Sequence, residues 1–132
     1  MGLYIGINGC SMKTEENIQV VKAIPLERLM VETDCPYCDI RNSHASAQYV
    51  QTKFPRKAKD KYNPDSNDLA LVRDRNEPCT IVQVIEVIAA LKGLTTKEVA
   101  EISYENTIKM FNLANNHGTS QPISRVNFFN SL

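Results

Sequence analysis

The chain contains no apolar run approaching the roughly 18 residues that a transmembrane helix needs. No basic segment followed by an apolar stretch stands at its start, and position 6 is glycine rather than the Ser or Thr of an N-myristoylation pattern. These absences predict a soluble, non-secreted protein, in which the four cysteines are reduced thiols rather than a disulfide framework. Net charge is lacking too. Fifteen basic residues cancel fifteen acidic ones, so overall charge gives no argument for nucleic acid and only its distribution can. There is no internal repeat and no low-complexity or collagen-like bias; 42% apolar and 23% charged residues fit an ordered globular chain. At 132 residues it can hold one domain with a modest core. A complete (β/α)8 barrel takes roughly 250 residues.

What is present follows an α/β order. Leu3, Tyr4, Ile5 and Ile7 form a short apolar run closed by Asn8-Gly9, which suits a buried parallel strand. Thr14 is placed to N-cap a helix with Glu15 and Glu16 in its first turn, where the macrodipole favours carboxylates. Ile18, Val21 and Ile24 follow at helical spacing until Pro25 stops the helix. Leu29-Met30-Val31 is a second apolar run, so strand, helix and strand make a right-handed βαβ crossover with parallel neighbouring strands.

From Cys35 to about Arg75 no period is sustained, far beyond the roughly 2–6 residues of an ordinary βα connection, and such a loop is expected to be functional or disordered. Asn76 or Glu77 then opens a helix with Pro78 in its first turn, Ile81, Val82, Ile85, Ile88 and Ala89 as its apolar stripe, and Gly93 at its end. Thr95 and Glu98 form a capping box, with Leu94 and Val99 as its hydrophobic staple, for a last helix running to about Phe111. The expected division is residues 1–113, with a long basic loop at about 35–75, followed by a flexible tail at 114–132 in which Val126, Phe128 and Phe129 could dock.

Several groups carry chemistry. Glu32 and Asp34 stand two apart at the carboxyl end of the second strand, where α/β folds place their sites, so both point to one face and Thr33 to the other. A carboxylate there can ligate a divalent cation and take the proton of an attacking water; it can equally decorate a strand end. Cys35-Pro36-Tyr37-Cys38 has the CxxC spacing of a glutaredoxin-like dithiol, although the following Asp39-Ile40-Arg41-Asn42-Ser43-His44 lacks the apolar stripe of the helix that chemistry requires. Cys35, Cys38 and His44 offer three zinc ligands and no fourth. Alone, His44 reads as a solvated loop residue, and Cys10 and Cys79 as buried small apolar side chains.

Arg41, Lys53, Arg56, Lys57, Lys59 and Lys61 face a single acid, Asp60, across residues 41–61, which suits either a polyanion or a solubilising surface. Tyr49 and Phe54 are placed to stack on bases or to pack the loop down. Arg75, Asn76 and Glu77 precede a helix N-terminus, where an anion can be held, although capping alone accounts for Asn76 and Glu77.

Read in order, Tyr4 to Ser11, Lys13 to Asn17, Ile24 to Leu29, Glu32-Thr33-Asp34-Cys35-Pro36-Tyr37, Arg75-Asn76-Glu77-Pro78 and Asn106 to Phe111 resemble the TatD family of deoxyribonucleases. The insert from Ser43 to Arg75 looks like the eukaryotic branch. The resemblance implies a TIM-barrel hydrolase acting on DNA phosphodiesters, commonly as a 3′-to-5′ exonuclease, with a pair of divalent metal ions (Mg2+, Mn2+ or Zn2+). It implies a metal-ligand role for Asp34 and turns the CPYC into the family's ETDxPY segment. DNA is the implied partner, contacted by Lys53, Arg56, Lys57, Arg75, Asn76 and Glu77, and the cytoplasm or nucleus is the implied location.

The family's HxH pair, bridging glutamate and two further histidine ligands have no counterpart here and would lie upstream of Met1. What remains looks like the last two barrel strands with their helices, a fragment or short isoform. Its open strand edges are expected to require the missing part of the barrel or to self-associate, and alone it is expected to be inactive. The alternatives are a non-catalytic nucleic-acid- or protein-binding isoform and a glutaredoxin-like oxidoreductase.

Overall fold

The expected crossover forms, with its second strand on the predicted residues and its first strand shorter than the apolar run suggests. In the computed structural model, which describes residues 2–65 and 69–113, β1 (Ile5–Ile7) and β2 (Leu29–Val31) pair in parallel with Ile5 opposite Leu29 and Ile7 opposite Val31. Leu3 lies exposed, because β2 offers it no partner. The tail at 114–132, with Val126, Phe128 and Phe129, lies outside the described residues.

Between the strands, α1 (Glu15–Ala23) begins as its sequence predicts. The Thr14 hydroxyl accepts from the Asn17 backbone N–H and the Asn17 side chain accepts from the Thr14 N–H, so two orphan donors of the first turn are satisfied. Ile18, Val21 and Ile24 are buried. At the other end the Lys92 ammonium donates to the carbonyls of Lys22 and Ile24, each at 2.6 Å, closing the α1 C-terminus against the next helix.

That helix, α2 (Ile81–Lys92), enters through a 3-10 turn at Pro78–Thr80 and ends on Gly93, whose φ of 66° is the left-handed C-cap that glycine adopts without strain. Its buried face shares only Ile88 and Ala89 with the predicted stripe. Gln83, Val84, Glu86, Val87, Ile88 and Ala89 are buried, whereas Ile81, Val82 and Ile85 are only partly covered. The reason is that α2 is enclosed on more than one side, so apolar residues run nearly all round it and no single stripe marks its inner face. The last helix, α3 (Thr96–Met110), crosses back over β2, where the Asn106 side chain donates to the carbonyls of Leu26 and Leu29, both at 2.8 Å. Ile7, Met12, Val21, Leu29, Val84, Val87, Ile88 and Val99 form the core between the strand pair and the helices. Among the described residues no single helix is long and apolar enough to cross a membrane.

Within the long loop, the described residues follow a defined path. A 3-10 turn at Ala45–Tyr49 packs on α1 and α2, and β3 (Arg56–Lys57) pairs in parallel with β4 (Leu71–Val72). Turns and two-residue strands are too short to leave a period in the sequence, which is why the segment reads as irregular.

The α3 capping box forms as predicted: Thr95 N–H and hydroxyl both donate to one Glu98 oxygen, at 2.8 and 2.7 Å. The backbone N–H, and then the hydroxyl, hold the Glu98 carboxyl below the ordinary glutamate range. A depressed acid contributes stability that is present above its unfolded pKa and lost as pH falls through the folded one. Helix content measured by circular dichroism should therefore fall with acid more steeply in the wild type than in Glu98→Gln. Parallel acid titrations of the two proteins would contradict this.

Candidate functional site

The carboxyl ends of β1 and β2 bring together three side chains. Asn8 follows β1, and its amide nitrogen donates to Asp34 Oδ2 at 2.8 Å and to Glu32 Oε1 at 3.2 Å. The direction of the amide is fixed from its other side, where Oδ1 accepts from the backbone N–H groups of Cys10 and Ser11 at 2.9 and 3.1 Å; the donor must then face the carboxylates. Room for the second carboxylate comes from Gly6, since a Cβ there would stand 2.9 Å from a Glu32 oxygen. Glu32 and Asp34 thus share a face, as their spacing predicts, and both remain exposed.

Asp34 begins the turn that leaves β2, with φ at 52°, a left-handed conformation that aspartate tolerates better than most residues. The turn is clamped. Tyr37 N–H donates to the Asp34 carbonyl at 2.8 Å, and Asn76 reaches back across the chain to bind it from behind. The Asn76 amide nitrogen donates to the carbonyls of Thr33 and Tyr37 at 2.9 and 2.8 Å, and its backbone N–H donates to the Pro36 carbonyl at 3.0 Å. Its side-chain oxygen accepts from Glu77 N–H and from the Thr80 hydroxyl.

Asn76 is only 4% exposed, with its side chain used internally, so the expectation that it touches substrate is corrected: it positions the Asp34 turn. Arg75 and Glu77 pair with one another, Nη2 to Oε1 at 2.6 Å, and the Arg75 guanidinium also lies over the Tyr62 ring at 5.9 Å. Glu77, rather than Asn76, stands at the N-cap of the 3-10 turn.

The basic loop gathers part of its charge. Lys53, Arg56, Arg41 and Arg73 line one open cavity of about 350 Å3 together with Phe54, and Arg56 pairs with Asp39 at 3.0 Å. Lys57, the next residue of β3, stands outside that lining. Tyr49 packs against the core instead of standing free to stack.

Residues 35–38 form a turn, with Cys35 exposed and Cys38 at φ 56°, so the CPYC segment does not open a helix. The glutaredoxin-like reading loses the helix N-terminus that would lower a thiol pKa. Cys10 is half-buried and Cys79 is exposed, contrary to the expectation that both are core residues, because each sits in a short 3-10 turn at the edge of the core. His44 is also half-buried; burial, then the charges of Lys13 and Arg41, push its pKa down, and its Nδ1 accepts from the Arg41 N–H at 3.4 Å.

Among the described residues no three His, Cys, Asp or Glu side chains stand together to hold a metal ion. The donor type at Asp34 fits a hard divalent cation, which prefers oxygen; the number of ligands does not, since such ions take about six. Sequence reasoning missed Asn8. The signal was an amide residue at the carboxyl end of a strand whose parallel neighbour ends in Glu-Thr-Asp.

The TatD related DNase family matches residues 1–112. The "Deoxyribonuclease Tat-D" of Schizosaccharomyces pombe is 46% identical over 111 residues, covering 83% of this chain and 34% of its own. An uncharacterized metal-dependent hydrolase of Bacillus subtilis is 34% identical, covering 86% of this chain and 34% of its own. The crystal structure of a TatD family hydrolase from Entamoeba histolytica superposes with a TM-score of 0.76 at 34% identity, over 83% of this chain and 35% of that one. The chain thus spans about one third of the length of the relatives it matches. By sequence along nearly its whole length and by fold, this chain belongs to the TatD-related DNase family.

Proposed function

We propose that the chain supplies the last two strands and following helices of a TIM-barrel hydrolase that cleaves DNA phosphodiester bonds with divalent metal ions, in the cytoplasm or nucleus. One observation carries this reading: Asp34 stands exposed at the carboxyl end of β2 while Asn8 holds its carboxylate and Asn76 holds the carbonyls of Thr33 and Tyr37 on either side of it. Pre-setting both ends of a ligand in this way removes reorganisation from the chemical step. Asp34 would hold the metal, with the remaining ligands coming from outside the described residues; the bound ion would polarise the phosphoester and acidify the attacking water. Glu32 accepts from the same Asn8 amide and stands beside it.

The exposed edge residues Leu3 and Ile5 fit strands that continue into a larger sheet, and a second copy of the chain is the other occupant such an edge would accept. Lys53 and Arg56 in the basic cavity, Lys57 on β3 and the Arg75 guanidinium are the proposed contacts to the DNA backbone. They bind phosphate without reading sequence.

The test is a fusion in which this chain replaces the matching third of the Schizosaccharomyces pombe relative. Manganese-dependent release of nucleotides from DNA should fall by about 100-fold or more in Asp34→Asn, since loss of even the partners of a metal ligand costs about 10- to 100-fold. If the variant fusion keeps full activity, Asp34 is not a ligand. Salt-sensitive DNA binding by a fusion that never cleaves would favour a binding role instead.

A further inference from the structure

The Cys35–Cys38 spacing draws attention in the sequence, but the fold gives Cys38 a different neighbour. A second cavity, of about 150 Å3, is lined by Cys10 and Cys38 together with Lys13, Asp39, Arg41 and His44. The turn carrying Cys10 is pressed against the end of the Asp34 turn. A Cβ at Gly9 would stand 2.1 Å from the Cys38 carbonyl oxygen, so only glycine allows the approach.

The Cys38 thiol lies within hydrogen-bonding reach of the Cys10 side chain, which, followed by burial, pushes its pKa up. Cys35, by contrast, is exposed on the turn, its N–H donating to the Thr33 hydroxyl at 3.3 Å, and Cys79 is exposed in the turn before α2.

We propose that Cys10 and Cys38 are a reversible dithiol, oxidised to a disulfide by hydroperoxides and reopened by dithiol reductants. The thiolate of one cysteine attacks the distal peroxide oxygen; the O–O bond breaks, the other oxygen leaves as water or alcohol after taking a proton, and a sulfenic acid remains. The second thiol displaces that hydroxyl: the S–S bond forms, the S–O bond breaks, and the hydroxyl leaves with the second thiol's proton as water. Two thiols thereby lose two electrons and two protons, and one peroxide is reduced.

The bond would tie the turn whose N–H groups orient Asn8 to the turn that presents Asp34, so it bears directly on the carboxylate site. The inference needs no nuclease activity, and its readout is chemical.

The test is limited oxidation of the native chain with hydrogen peroxide, alkylation of remaining thiols, and mass spectrometry of a non-reduced digest. The Cys10–Cys38 cross-linked peptide should exceed every other pairing by about ten-fold, with Cys35 and Cys79 recovered alkylated, and dithiothreitol should return all four thiols. Oxidation in urea should lose the selectivity. A dominant Cys35–Cys38 link, or four alkylated cysteines after peroxide treatment, would overturn the proposal. Cys10→Ser must abolish the link without raising another; a replacement Cys35–Cys38 bond of equal yield would also count against it.

Discussion

Glu86→Ala is expected to destabilise the fold by about 3–5 kcal/mol, because two buried backbone donors lose their acceptor at about 1–3 kcal/mol each. Glu86 lies on α2, only 5% exposed, and accepts from the backbone N–H groups of Gln51 and Thr52 at 2.8 and 3.0 Å as well as from the Thr52 hydroxyl. Beside it, Gln83 donates to the Thr52 carbonyl at 2.9 Å. Gln83 and Glu86, the two polar residues on the first two turns of a largely apolar helix, therefore hold the middle of the long loop. Removing the carboxylate leaves two backbone donors without acceptors, and this costs more than the favourable bonds alone suggest.

Glu86→Gln should lose about half as much, since one oxygen remains an acceptor while the new NH2 opposes the donors. Urea unfolding gives the stability. Amide hydrogen exchange at Gln51 and Thr52 gives the location, and protection should vanish there first. A Glu86→Ala chain within about 0.5 kcal/mol of the wild type would show that the anchor carries no weight.

Asn76→Ala should cost about 3–4 kcal/mol, from the loss of up to four side-chain hydrogen bonds at a buried position. Asn76→Asp is the sharper variant, because shape is kept while a donor facing the carbonyls of Thr33 and Tyr37 becomes an acceptor; it should be at least as damaging. Both changes should also loosen the Tyr37 amide, whose bond to the Asp34 carbonyl closes the turn. Were Asn76 a DNA contact, its replacement would leave the unfolding midpoint where it is and alter only DNA affinity. The two roles are separable in one pair of measurements.

Local signals in this chain are reliable because their causes are local. Thr14 and Thr95 cap helices through partners three residues away, Gly93 ends one through its own dihedral angle, and Glu32 and Asp34 share a face because a strand alternates. The crossover follows from the order of two apolar runs and the helix between them. The family resemblance stands on several such segments in order, and the comparisons bear it out.

Other features depended on approaches between distant parts of the chain. Asn8 meets Asp34 across 26 positions, Glu86 meets Thr52 across 34, and Asn76 meets Thr33 across 43. Cys38 shares a cavity with Cys10, 28 positions earlier, for the same reason. An amide or a carboxylate can find partners in many arrangements, and its own sequence neighbourhood favours none of them. Which one occurs is decided only when strands pair, helices pack and the loop closes, because burial then leaves each polar group with a single geometry that satisfies it.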